Sequence, residues 1–161
     1  MVPGGKVSPV CSELITALDQ NATESFAKAG TVLFRCGDSV SAVYLVRRGR
    51  LALEWASGNR LIQLDFAGPG RIVGLPAALN GTYSLTASAV EDTELAFIPS
   101  QWVIELLEGD WRLSLAATRM VSREVVRMRS MLRTSFAINQ DGLDVQAKRS
   151  TETCRVKEQL A

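Results

Sequence analysis

Between Phe26 and Pro99 the chain runs as short apolar stretches broken by glycine-marked turns, and this rhythm limits the fold more than any other feature. After Gly30, Val32, Phe34 and Cys36 alternate with Leu33 and Arg35, and Gly37-Asp38 then supplies a turn. Alternation at period two marks a half-buried strand. Ala42 to Arg47 predicts a second strand and Arg50 to Ala56 a third, with Leu51, Leu53 and Trp55 on one face and Arg50 and Glu54 on the other. The Arg48-Gly49 pair between them predicts a tight hairpin. Gly58-Asn59 turns the chain into Leu61 to Phe66, where Ile62, Leu64 and Phe66 share a face. Gly68-Pro69-Gly70 makes the next corner, and Ser84 to Val90 and Glu94 to Ile98 are further strands. Short strands at this spacing predict a mainly β fold, an antiparallel barrel or roll.

The flanks change period. Leu14, Ile15 and Leu18 recur at helical spacing behind Ser12, a suitable N-cap, and predict a short helix over Ser12 to Leu18. Gln101 to Leu107 is a second short helix, and a long one runs from about Asp110, its cap, to Arg133. On the long helix Val121, Val125, Met128 and Leu132 form the seam of a two-helix contact, and Leu113, Ala116 and Met120 form a neighbouring row suited to the roll. A homodimer seam and a helix lying on its own domain are both open. Arg119, Arg123, Arg127, Arg129 and Arg133 mark solvated positions, with Glu124 the only acid among them. The expected organisation is a lead over residues 1–11, a roll with short flanking helices over 12–109, the long helix over 110–133 and a polar tail or linker over 134–161.

A length of 161 residues suits one domain with a helix and tail. The 18 basic and 17 acidic residues nearly cancel, so composition does not point to a nucleic-acid backbone as partner. No apolar run approaches the roughly 18 residues of a membrane span, and proline and glycine interrupt the first residues where a secretory signal would need an apolar core. A cytoplasmic location is expected. Histidine is absent, which removes the usual ligand of zinc, copper and non-haem iron and the base of a Ser-His-Asp or Cys-His site. Cys11, Cys36 and Cys154 are too few and too scattered for a disulfide framework, a zinc cluster or an iron–sulfur cluster. Glu91, Asp92 and Glu94 cluster at a strand turn, where solvated carboxylates are expected. These points weigh against a cupin-like metalloenzyme and against a haem or iron–sulfur sensor, so no catalytic residue, metal or cofactor is expected.

The segments Gly30-Thr31-Val32-Leu33-Phe34-Arg35-Cys36-Gly37-Asp38 and Val43-Tyr44-Leu45-Val46-Arg47-Arg48-Gly49-Arg50-Leu51 resemble the opening of the Crp/Fnr-type cyclic nucleotide-binding domain family. Pro69-Gly70-Arg71-Ile72-Val73-Gly74 resembles the entry into its phosphate-binding cassette, and the likeness covers roughly residues 15–133. It implies a jelly-roll type β-roll followed by a long helix through which the family commonly dimerises, and a role in signal transduction or transcription regulation. It also implies an effector pocket at Gly74, Leu75, Pro76, Ala77, Ala78, Leu85, Thr86 and Ala87, with Ser122 and Arg123 aligned where the helix contributes to the ligand. The family opens this cassette with Gly-Glu and closes it with Arg, then Ser or Thr, then Ala. Here Gly74-Leu75 opens it and Leu85-Thr86-Ala87 closes it, so leucine stands at both charged positions.

A cyclic phosphate entering a narrow pocket needs the paired donors and charge of a guanidinium. Leaving such a charge buried without its partner costs about 3 to 5 kcal/mol, or two to three and a half powers of ten in affinity. Backbone N–H groups at the Gly74 to Ala78 turn still favour an anion but do not replace the arginine. The expectation is a regulatory sensor or dimerisation module that does not take cAMP or cGMP in the usual way. Three alternatives stay open: Arg123 or Arg71 rescues binding of a different anion, the pocket admits an apolar or uncharged effector, or Leu75 and Leu85 simply fill it. Relatives commonly place a helix-turn-helix after the long helix, and the roughly 28 polar-mixed residues here are too few for one. Direct DNA binding by this chain is therefore not expected, unless the sequence is the sensor portion of a longer regulator.

Overall fold

The computed structural model of the chain describes residues 9–133. Its elements are α1 (Pro9–Gln20), β1 (Thr23–Ala27), β2 (Val32–Phe34), β3 (Ala42–Arg48), β4 (Leu51–Ser57), β5 (Arg60–Ala67), β6 (Ile72–Val73), α2 (Leu75–Asn80), β7 (Thr86–Ala89), β8 (Thr93–Pro99) and α3 (Ser100–Gly109). A long helix follows over 111–133. Among the described residues the strands make two antiparallel four-stranded sheets, ordered β1-β8-β3-β6 and β2-β7-β4-β5. This is the expected β-roll with flanking helices.

The central strand shows how the layers arise. Ala42, Val43, Tyr44, Leu45 and Val46 are all buried, a continuous apolar run that needs cover on both faces. On one face Val43 and Leu45 join Ala96 and Ile98 of β8 in an apolar cluster with Leu14 and Leu18 of α1, Val103 and Leu107 of α3, and Leu113, Ala116 and Ala117 of the long helix. On the other, Tyr44 meets Phe34 of the second sheet, ring centroids 6.1 Å apart, and the edge of Phe97 at 5.7 Å. Each fully buried leucine of the helix-side cluster contributes about 1.5–3 kcal/mol, so helices and roll are held mainly by apolar burial.

The hairpin expected at Arg48-Gly49 is not one. β3 and β4 lie in different sheets, and the turn carries the chain from one to the other. Gly49 has φ +83°, and an added Cβ there would lie 2.6 Å from Thr93 Oγ1 and 2.7 Å from the Asp92 carbonyl. The wholly buried Thr93 donates to the Glu91 carbonyl at 2.7 Å and accepts from the Arg50 N–H at 3.2 Å. The return crossing from β7 to β8 runs through these same residues, so the two crossings interlock.

A bulge overturns a second expectation. Leu53 faces Asp65 and Glu54 faces Gln63, which leaves Leu64 as the extra residue of β5 and shifts its alternation. Ala67 is buried while Phe66 is partly exposed beneath the Arg50 guanidinium, 4.9 Å from the ring centroid, so Ile62, Leu64 and Phe66 do not share a face.

β1 is an element the sequence reading passed over; it forms the edge of its sheet against β8. α1 begins at Pro9, ahead of Ser12, which sits inside it and accepts from the Thr16 hydroxyl through its carbonyl. Asp110 caps the long helix as expected, its carboxylate accepting from the Arg112 N–H at 2.8 Å. The chain divides between Glu124 and Val125, so residues through Glu124 are described together and 125–133 by themselves. In the latter span Val125 is exposed and Met128 and Leu132 are partly buried. The tail expected over 134–161, and the first residues of the expected lead, lie outside the described residues.

Candidate functional site

β6 ends at Gly74, whose φ of +89° turns the chain into α2. A Cβ at this position would sit 3.2 Å from the Tyr83 ring and 3.3 Å from the Ala42 carbonyl, so glycine is required by both backbone and space. α2 is one and a half turns long and ends at Gly81, whose N–H donates to the Ala77 carbonyl at 2.7 Å. In its first turn Pro76 has no N–H, and the Ala78 N–H is taken by the Gly74 carbonyl at 3.1 Å. Neither Pro76 nor Ala78 therefore has an N–H to offer an anion here.

The loop after α2 is fixed to the 37–42 segment. The Val40 N–H donates to the Gly81 carbonyl (3.0 Å), the Tyr83 N–H to the Asp38 carbonyl (3.0 Å) and the Gly37 N–H to the Tyr83 carbonyl (2.8 Å). The buried Tyr83 hydroxyl donates to the Ala42 carbonyl at 2.6 Å and accepts from the Ala42 N–H at 3.2 Å. Its ring stacks on Phe34, centroids 3.8 Å apart and planes 9° from parallel. From Tyr83 through Phe34 and Tyr44 to Phe97 an aromatic row thus runs between the sheets. Burial, and secondarily the nearby Tyr83, push the Tyr44 phenol above its ordinary pKa.

Of the residues expected to line the pocket, Leu75, Ala77, Ala78, Leu85, Thr86 and Ala87 are buried, and Gly74 and Pro76 are partly so. Leu75 and Ala78 belong to the helix-side cluster with Val43, Val103, Leu107 and Leu113. The Leu75 side chain is therefore part of the packing between roll and helices. Leu85, 9 % exposed, lies just before β7 rather than within it, so the strand begins later than the alternation implied. The Thr86 hydroxyl accepts from the Cys36 N–H at 3.1 Å, which commits the cassette's polar side chain to the turn after β2. None of these eight residues carries a charge.

Arg71 donates through one terminal nitrogen to Asp65 and the Phe66 carbonyl, and through the other to both carboxylate oxygens of Glu124, at 2.9 and 3.0 Å. Ser122 and Arg123 are exposed on the long helix beside that Glu124. The sequence reading missed Tyr83, Asp65 and Glu124 as organising residues. Two of them left a signal: Asp65 is the one carboxylate in β5, and Glu124 is the one acid among the helix arginines.

The cyclic nucleotide-binding domain family matches residues 24–110. The chain is 31% identical over 127 residues to the transcriptional activator protein anr of Pseudomonas aeruginosa, covering 74% of this chain and 52% of that one. It is 33% identical over 106 residues to a lysophospholipase of Aspergillus fumigatus, covering 65% of this chain and 7% of that one. Among solved structures, the catabolite activator protein of Thermus thermophilus superposes with a TM-score of 0.66 at 25% identity, over 80% of this chain and 60% of that one. The chain thus spans about half the length of the activator and a small fraction of the lysophospholipase.

Proposed function

We propose, from the premise that this chain belongs to the cyclic nucleotide-binding domain family, that it is a non-catalytic sensor and dimerisation module of a Crp/Fnr-type regulator whose cassette does not grip cAMP or cGMP. The observation that carries this reading is the apolar cassette: Leu75 and Leu85 are buried where the family's acid and guanidinium stand, and Pro76 removes a backbone donor as well. A cyclic phosphate would enter that cradle without a compensating cation, at a penalty of about 3 to 5 kcal/mol. Isothermal titration of the chain with cAMP and cGMP should show no saturable uptake at micromolar concentration. Micromolar binding of either nucleotide overturns the reading. Leu85→Arg, which returns the missing guanidinium, should raise nucleotide uptake over the parent chain, and no gain would count against the cradle having kept its shape.

The regulatory setting rests on relatives described as transcriptional regulators, and a cytoplasmic location goes with that reading. The lysophospholipase likeness is confined to a small part of that enzyme, so no hydrolase activity is proposed. Dimerisation would run through Val121, Val125, Met128 and Leu132, of which Val125 is about half exposed. Sedimentation equilibrium should give a dimer and Val125→Glu a monomer; a monomeric parent chain would remove the seam. A low-salt gel shift with the chain alone should show no retarded DNA.

A second reading, a structural interaction domain with a filled pocket, is favoured by the burial of both leucines. Thermal-shift screening against aromatic and lipid-like compounds separates the two: a stoichiometric, saturable stabilisation identifies a sensor.

A further inference from the structure

We infer that Asp65, Arg71 and Glu124 form an ionic clasp that controls how firmly the first turns of the long helix stay docked on the roll. The three groups come from three elements: β5, the corner before β6, and the helix. The base of the clasp is fixed. Arg71 donates its N–H to the Gly68 carbonyl at 3.1 Å, and its own carbonyl accepts from the Val46 N–H of the central strand at 3.0 Å. From that anchor its guanidinium reaches Asp65 on one side and both oxygens of Glu124 on the other.

Shielding separates this group from the other ion pairs. The side chains of Arg71, Asp65 and Glu124 are 23%, 11% and 25% exposed, against 32% and 44% for the Arg47–Asp19 pair and 78% and 51% for Arg48–Glu94. Partly dehydrated charges interact more strongly than exposed ones and are harder to leave unpaired. Two carboxylates share one guanidinium, so removing Arg71 or drawing it away takes the shared cation from both at once.

The clasp also sits where apolar grip runs out. Leu113, Ala116 and Ala117 are buried in the core cluster, and Met120 and Val121 are only partly so. Glu124 then closes the compact unit that contains the roll. Up to Ala117 the helix is held by burial, which salt scarcely affects. At Glu124 it is held by charge, which added salt screens and a competing anion can displace. The roll can therefore loosen the helix without disturbing its own core, and this route needs no ligand in the cassette.

Hydrogen exchange of the whole chain tests the clasp. Glu124→Gln keeps side-chain size and removes one charge; Arg71→Gln removes the shared cation. Protection of amides 118–124 should fall about tenfold in each, the change for losing one charge-assisted bond, while β4 and β7 keep theirs. The double variant should lose less than the sum of the singles, since both break one contact. Unchanged helix protection, an equal loss across the strands, or strict additivity overturns the clasp. Should Arg71→Gln not fold, the parent chain decides: raising sodium chloride from 0.05 to 1 M should lower protection at 118–124 and not in β4, and a salt-independent helix refutes the proposal.

Discussion

Gly49 and Gly74 both turn the roll at positive φ, and both approach a neighbouring backbone too closely for most side chains, yet their surroundings differ. At Gly49 the neighbours are the backbone of Asp92 and Thr93 and one satisfied hydroxyl, the point where both sheet crossings lock. At Gly74 they are an aromatic ring and one carbonyl, and the next residue, Leu75, packs into the helix-side core. The first corner is specified by main chain together with the Thr93 hydroxyl. The second holds its shape through glycine and Tyr83, so its outline does not depend on a charged side chain beside it.

Gly49→Ala gives the largest expected effect. Its Cβ would fall within 2.8 Å of three atoms that cannot retreat, on top of the strain of positive φ. Overpacking and backbone strain together should remove about 3–5 kcal/mol in urea denaturation, or prevent folding. Gly74→Ala meets its nearest atom at 3.2 Å, the edge of a ring, and should lose about 2–3 kcal/mol. A larger loss at Gly74 would reverse the contrast.

Leu75→Ala sharpens the claim that the cassette has joined the core. As a buried member of the cluster that includes Val103 and Leu113, it should lose about 2–4 kcal/mol. Leu85→Ala, at 9 % exposure and outside that cluster, should lose about 2 kcal/mol. A Leu75→Ala loss below about 1 kcal/mol would mean the site faces an open space and not a packed one.

The sequence carried the roll in its glycines and alternation, and those features are local. What it concealed depends on residues far apart. Arg48-Gly49 reads as a hairpin because a two-residue turn between apolar runs usually is one; only Thr93, far along the chain, makes it a crossing. The bulge at Leu64 is set by the partner strand, and β1 becomes a strand only because β8 offers it an edge. In the candidate site, the apolar character of Leu75 and Leu85 was legible position by position. The employment of Arg71 was not, because one of its partners is 53 residues away. Leu75 facing the helix-side core was hidden for the same reason, since six-residue α2 has too little pattern to declare which side it buries.

Tyr83→Phe removes the hydroxyl that holds the cassette loop to β3 while keeping the ring stacked on Phe34. It leaves the Ala42 carbonyl without that donor and should lose about 1–2 kcal/mol. A neutral result in urea denaturation would show that the ring alone positions the loop, and would narrow the difference between the two corners.

The smallest effect is a pH dependence confined to the aromatic row. Burial first, and Tyr83 second, hold the Tyr44 phenol above its ordinary pKa of 10.0. The folded chain therefore releases this proton later than the unfolded chain does. The contribution to stability is complete below the ordinary value and is lost as pH rises from there through the raised one. Tyr44→Phe cannot ionise, so its melting temperature should fall less than that of the parent chain between about pH 9 and pH 11. Parallel curves would mean that Tyr44 is as wet when folded as when unfolded, and the sheets would then be less tightly closed at the cassette than at Gly49.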